Sequence, residues 1–281
     1  MILKNKNIIL TGASGGIGKL IAKRCNAEGA NLFLISRSQE KLQELVSFLD
    51  LSIGKAHLFV LDISNEEAVN IVLSQIDLLC NGQIHVLINN AGIQNPIGPF
   101  ENNSLSSWKE NININLFGTV NMTQSVLPSM IRNNSGKIIN FSGGGSTSPR
   151  VNFSAYGIAK TAIVRFSETI ALELRKHQIY VNSVSPGAIN TQMMEEVLLS
   201  GENAGDEFIS TITRKKNGGD DPNHILELIS FLMSDDSAGI TGKLISAVWD
   251  PWKSKEFQDL LKSDTDIATL RRIDNKYYYQ K

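Results

Sequence analysis

Short β-branched runs alternate with longer stretches of helical period along most of the chain. "NIIL" (7–10), "NLFLIS" (31–36), "HLFVLDI" (57–63), "HVLINN" (85–90), "KIINFS" (137–142), "YVNSVS" (180–185) and "KLISAV" (243–248) read as strands. Between them, residues 16–28, 38–51, 65–80, 104–131, 154–176 and 221–234 read as helices. This is the pattern of βαβ units, whose strands pair in parallel. The strands are apolar nearly throughout, as expected when helices cover both faces of a sheet. The chain therefore reads as an α/β protein with a doubly wound parallel sheet of about seven strands. Residues 200–220, "SGENAGDEFISTITRKKNGGD", lose the rhythm and read as a mobile insertion.

A chain of 281 residues is long enough for two domains, yet single α/β domains reach ~250 residues, and no linker interrupts this one. We read one domain over 1–250 and a C-terminal extension over 251–281. The extension is amphipathic around Phe257, Leu260 and Leu261, then Ile267, Leu270 and Ile273, which predicts two short helices docked on the body or on a partner subunit, with a role in substrate binding as the alternative.

Composition narrows the partners. The net charge is -1 and basic residues are scattered, so a nucleic-acid partner is not indicated. Cys25 and Cys80 form neither a disulfide framework nor a metal-spaced cluster. There is no leader-like segment, and no run approaches the ~20 apolar residues of a membrane span. These features predict a soluble cytoplasmic protein with no metal and no membrane partner.

Two stretches carry chemistry. "TGASGGIG", Thr11 to Gly18, follows the first strand and opens the first helix. Glycines there permit a tight turn and let backbone N–H groups approach a pyrophosphate, which a helix N-terminus favours electrostatically. Gly15 makes the stretch satisfy two spacings, Gly12-x-x-x-Gly16-x-Gly18 and Gly12-x-x-Gly15-x-x-Gly18. In "NFSGGGSTSPRVNFSAYGIAK" (140–160), Tyr156 and Lys160 stand four residues apart, which on a helix puts phenol and ammonium on one face.

With the glycine loop, "NNAG" (89–92), "NLFG" (115–118), Tyr156-x-x-x-Lys160 and "SPGAINT" (185–191) in this order, the chain resembles the short-chain dehydrogenase/reductase family from residue 4 to about 250. The resemblance implies a Rossmann-type fold with strand order 3-2-1-4-5-6-7, a nicotinamide cofactor and the oxidoreductase branch. It further implies that Gly12, Ser14, Gly16, Ile17 and Gly18 hold the pyrophosphate turn. Asp62 and Ile63 then meet the adenine, Asn90, Ala91 and Gly92 line the middle of the cofactor, and Pro186, Gly187, Ile189 and Thr191 reach its carboxamide end. Similar enzymes are homodimers or homotetramers paired through their long fourth and fifth helices, here 104–131 and 154–176.

A carboxylate at the end of the second strand would bond both ribose hydroxyls of NAD and repel a 2′-phosphate. Here Ser36 holds that position and Arg37 follows, and a guanidinium pairs with phosphate through charge-assisted bonds. The expected cofactor is NADP(H).

Reduction of a carbonyl by hydride requires a proton for the oxygen. A free phenol, with a pKa near 10, is poorly matched to neutral pH, and a nearby ammonium favours the phenolate, so Lys160 is expected to tune Tyr156. By resemblance, Lys160 also holds the nicotinamide ribose and Asn115 positions a water that relays protons. In most relatives a serine thirteen residues before the tyrosine bonds the substrate oxygen; here that position is Gly143. Ser142 precedes it, on the side of the strand that alternation turns away unless the glycines introduce a bulge. Ser142 is the favoured substitute, with Ser146, Ser154 and a backbone N–H of the glycine run as alternatives.

The "GGG" run and the "VWDPW" ending are also similar to dehydrogenase homologues of bacterial surface-sugar pathways. These features predict an NADP-dependent carbonyl reductase or alcohol dehydrogenase of a small polar, sugar-like substrate. The alternatives are a dinucleotide-binding protein with impaired catalysis, suggested by Gly143, and a different reaction on the same scaffold.

Overall fold

In the computed structural model, which describes residues 1–273, seven parallel strands form one sheet in the order β3-β2-β1-β4-β5-β6-β7. The elements run β1 (Asn7–Thr11), α1 (Gly16–Ala27), β2 (Asn31–Ser36), α2 (Gln39–Val46), β3 (Ala56–Val60), α3 (Glu66–Leu79), β4 (Val86–Asn89), α4 (Leu105–Ile112) and α5 (Gly118–Arg132). Then follow β5 (Gly136–Phe141), α6 (Ser154–Leu174), β6 (Ile179–Ser185), α7 (Gln192–Ser200), α8 (Asp206–Asn217), α9 (Asn223–Met233), β7 (Leu244–Ser246) and α10 (Lys255–Ser263). The long helix expected over 104–131 is interrupted by a π-helical turn at Asn113–Phe117.

Alternate strand residues feed two cores. Ile8, Leu10, Leu32 and Leu34 pack on one face with Ile21 and Leu228. Ile9, Phe33 and Ile35 pack on the other with Leu73, Met122 and Val126. Each buried aliphatic side chain contributes about 1.5–3 kcal/mol relative to exposure, so both faces bind their helices strongly. The tight junction of β1 and α1 depends on Gly18, where a β-carbon would lie 2.1 Å from the Gly12 carbonyl oxygen.

Two expectations are corrected. Residues 200–220 are mostly helical, with a short 3-10 turn at Gly201–Ala204 followed by α8. Asp206 and Glu207 begin α8 and Arg214, Lys215 and Lys216 end it, which suits the helix dipole. In the extension, α10 forms around the buried Leu261, but 264–273 is not helical. The Asp264 carboxylate accepts from the backbone N–H of Asp266 and Ile267, and the body bonds several other backbone groups of the segment. Leu244 N–H donates to the Ala268 carbonyl at 2.7 Å, and Glu168 accepts from Leu270 N–H at 2.6 Å. Trp252 and Leu261 join the same core as the sheet, so the described part of the extension packs on the body.

Candidate active site

Strand order reverses at β1, with β2 on one side and β4 on the other, and open parallel sheets form a ligand crevice at such a point. A cavity of about 360 Å³ lies there, running from Ser36 and Arg37 past the glycine turn to Ser142, Tyr156 and Lys160. Its floor is backbone. Gly12 has φ +63°, and a β-carbon on it would lie 2.8 Å from Ala91 Cα. One on Gly16 would lie 2.8 Å from Thr191 Cγ2. Thr11 Oγ1 accepts from Asn90 and Ala91 N–H, and Asn90 Nδ2 returns bonds to the Thr11 and Gly12 carbonyls. These bonds fasten the β4 turn to the glycine loop. Gly15 caps α1 without a side-chain bond and no acid occupies the first turn, so the helix presents unclaimed N–H groups and positive potential to a cavity lined by Gly15, Gly16 and Ile17.

At the far end, the Ser14 and Ser36 hydroxyls are 2.5 Å apart. Arg37, Ser38 and Lys41 line the same end. Ser38 caps α2 through Lys41 N–H, placing the Lys41 side chain one turn beyond Arg37. Sequence reasoning missed Lys41, although its spacing of four from Arg37 across a capped helix start was the available signal. Two cations and three hydroxyls are a donor set for a phosphate. Asp62 lines the cavity beside Ile63, and its carboxylate accepts from Ser64 N–H and Oγ.

Around Tyr156 and Lys160, Lys160 Nζ donates to the Phe141 carbonyl at 2.9 Å, and burial pushes its pKa down to about 8. Burial raises the Tyr156 phenol, while Arg150 pulls it down and Glu207 pushes it up. Sequence reasoning assigned that tuning to Lys160, whose Nζ lies 5.6 Å from the Tyr156 ring centroid. Asn115 is fully buried. Its Nδ2 donates to the Ile93 carbonyl and to Asn111 Oδ1, and its Oδ1 accepts from Ile93 N–H. A β-carbon on Gly92 would lie 2.5 Å from Asn115 Oδ1 and 3.5 Å from Lys160 Nζ, so only glycine fits between them.

Ser142 needs no bulge to reach the cavity. Its N–H donates to the Val184 carbonyl at 2.9 Å, which continues the β5–β6 ladder, and the residue lines the cavity with Tyr156 and Lys160. Its hydroxyl is buried without a hydrogen-bond partner. Gly143 also borders the phenol, since a β-carbon on it would lie 2.5 Å from the Tyr156 hydroxyl oxygen. Ser154 Oγ is occupied by the Trp108 indole N–H at 3.2 Å. Neither Ser146 nor Ser154 lines the cavity.

Of the other residues expected around a cofactor, Pro186 and Thr191 line the cavity, whereas Gly18, Gly187 and Ile189 do not, nor does Asn115, expected to position a water. Gly18 seats α1 on β1. Ile189 is buried in the main core. Gly187, at φ +87°, shapes a loop against Asp220, whose carboxylate accepts from Ala188 N–H at 2.6 Å. Helices α7 and α8, which close over this end of the cavity as a lid, supply residues the sequence did not single out: Met193 and Glu196 line the cavity, and Val197, Ala204 and Phe208 pack around Phe153 and Tyr156.

A family model described as short chain dehydrogenase matches residues 6–200. The chain is 33% identical over 245 residues to a 3-oxoacyl-(acyl-carrier-protein) reductase of Thermotoga maritima, covering 87% of this chain and 97% of that one. Among solved structures it is similar to an NAD+-bound xylitol dehydrogenase, with a TM-score of 0.79 and 28% identity over 88% of this chain and 98% of that one. It is also similar to a structure described as ElxO with NADP bound, with a TM-score of 0.74 and 28% identity over 86% and 97% of the two chains.

Proposed function

The chain belongs to the short-chain dehydrogenases, oxidoreductases that use a nicotinamide cofactor, and from that premise we propose that it is an NADP(H)-dependent carbonyl reductase or alcohol dehydrogenase of small polar substrates. The cofactor supplies or accepts the hydride. The uncapped start of α1 holds the pyrophosphate, and Arg37, Lys41 and the hydroxyls of Ser14, Ser36 and Ser38 hold the 2′-phosphate. Of the similar solved structures one is NAD+-bound and another NADP-bound, so the preference rests on this chain's own cations.

Tyr156 Oη gives its proton to the substrate oxygen as negative charge develops there, and takes it back in the oxidative direction. Ser142 Oγ donates a second hydrogen bond to that oxygen. The observation carrying this reading is the buried, unpartnered Ser142 hydroxyl lining one cavity with Tyr156 and Lys160. Such a group is costly to leave unsatisfied, and a substrate oxygen would satisfy it. It also weighs against impaired catalysis as the meaning of Gly143. Lys160 is the charged group on the proton path. Asn115 holds the Ile93 backbone beside it, the platform for the water-relay role that the family resemblance implies.

A sugar-derived substrate is supported by the likeness to a xylitol dehydrogenase. Exposed Leu105, Phe117, Ile158 and Leu172 on the α4–α6 surface support a homodimer or homotetramer. No described helix is long and apolar enough to cross a membrane, and free, buried Cys25 and Cys80 suit a reducing, cytoplasmic setting. The test is a screen of polyols, sugars and simple carbonyls with NADPH and NADH, following absorbance of the reduced nicotinamide. Turnover that prefers NADPH supports the proposal; turnover with NADH alone refutes the cofactor assignment.

A further inference from the structure

The glycine run that displaces the usual serine also makes room for an arginine. A β-carbon on Gly145 would lie 3.2 Å from Arg150 Cβ, and one on Gly144 would lie 3.5 Å from Arg150 Cδ. Arg150 lies against this turn with its guanidinium carbon 3.7 Å from the Phe153 ring centroid and 5.5 Å from that of Tyr156. Its donors tie together segments far apart in sequence. Nε donates to Glu207 Oε2 at 2.6 Å and Nη2 to Glu207 Oε1, while Nη1 donates to Gln94 Oε1 at 3.1 Å. Gln94 is buried, and its Nε2 reaches the Met193 carbonyl of α7. The ion pair is largely withdrawn from solvent, with side-chain exposures of 16% and 23%.

We propose that Arg150 is a positioning residue for the reaction, which sets the charge around the Tyr156 hydroxyl against Glu207 of the lid while anchoring that lid over the phenol. This rests on Tyr156 being the acid and base. A guanidinium beside a phenol favours phenolate, and a carboxylate favours the protonated form. The lid therefore brings both a wall and a counter-charge to the acid. The other charged groups that line the cavity with the phenol are Lys160 on α6 itself, Glu196 of α7, Asp62 after β3, and Arg37 and Lys41 at the far end. Gln94 and Asn115, on the packed loop and π turn, are uncharged, and Lys109 and Glu110 of α4 are exposed.

The pair can be tested without knowing the substrate. Tyrosine labelled with the heavy carbon isotope at Cζ reports phenol ionisation by NMR, and loss of one signal in Tyr156→Phe identifies the residue. The midpoint of the Tyr156 titration is expected to move to higher pH in Arg150→Gln and to lower pH in Glu207→Gln, and to stay near wild type in Arg150→Lys. A latch that only packs the lid would move both glutamine variants alike or move neither, and either result overturns the inference. Should Arg150→Gln fail to fold, Glu207→Gln decides alone: an unchanged or raised midpoint refutes the proposal. Failure of the functional reading shows separately, as absence of turnover in the carbonyl and alcohol screen.

Discussion

Replacing Arg37 by alanine removes the guanidinium at the proposed 2′-phosphate end and leaves the glycine turn, α1, Tyr156 and Lys160 untouched. A hydrogen bond to a charged group contributes about 1.5–3 kcal/mol, and each 1.4 kcal/mol is about a tenfold change in affinity. Arg37 is exposed, so salt screens the contact and the lower half of that range applies. Arg37→Ala should therefore weaken NADPH binding about 10- to 40-fold at low ionic strength, and less at high salt. Lys41→Ala should cost about three- to tenfold, as expected for a flexible exposed ammonium. NADH, which lacks the phosphate, should lose less than about twofold in either variant. Titration of nucleotide into protein, read by nicotinamide fluorescence, measures all of these constants. Equal losses for NADPH and NADH would refute the reasoning, because the two side chains would then serve the fold or the shared part of the nucleotide.

Ser142→Ala should lower kcat by about 10²–10³, the effect of removing one preorganised donor to a developing oxyanion, with NADPH affinity retained and Ser146→Ala and Ser154→Ala mild. Gly143→Ser should impair turnover rather than improve it, because its β-carbon would lie 2.5 Å from the Tyr156 hydroxyl; steady-state kinetics of the variant checks this. Lys160 titrates at about 8 folded against an ordinary 10.5. Between those values the unfolded chain holds a proton that the folded protein has released, so the stability cost of burying this group shrinks as pH rises through the window. The melting temperature of Lys160→Met relative to wild type should be most favourable below pH 8 and fall toward 10.5; a pH-independent difference would contradict the shift. Light scattering should find a species larger than one chain, and a monomer alone would contradict the proposed assembly.

The seven strands and the shared helix of Tyr156 and Lys160 were legible because they depend on local pattern, apolar runs and a four-residue spacing, whereas the order of the strands in the sheet came only with the family resemblance. Ser36 and Arg37 were legible for the same reason. α8 was not, since its buried face shows only Thr211 as fully buried and leaves little apolar period to read. The second tail helix was expected from the spacing of Ile267, Leu270 and Ile273, but Glu168 and β7 compete for its backbone. Arg150 shows the sharper limit. Its partners Gln94 and Glu207 lie 56 and 57 residues away, and only the folded chain brings them together. Alternation suggested that Ser142 would turn away from the site, whereas the end of the β5 ladder keeps it in the cavity wall.

The central claim is that Tyr156 is the acid and base, and its most direct test compares wild type with Tyr156→Phe on whichever substrate the screen identifies. Absorbance of the reduced nicotinamide gives turnover, and fluorescence titration gives NADPH affinity on the same preparations. The account predicts that turnover is abolished while NADPH affinity is nearly unchanged. A Tyr156→Phe protein that kept near-normal kcat would contradict it.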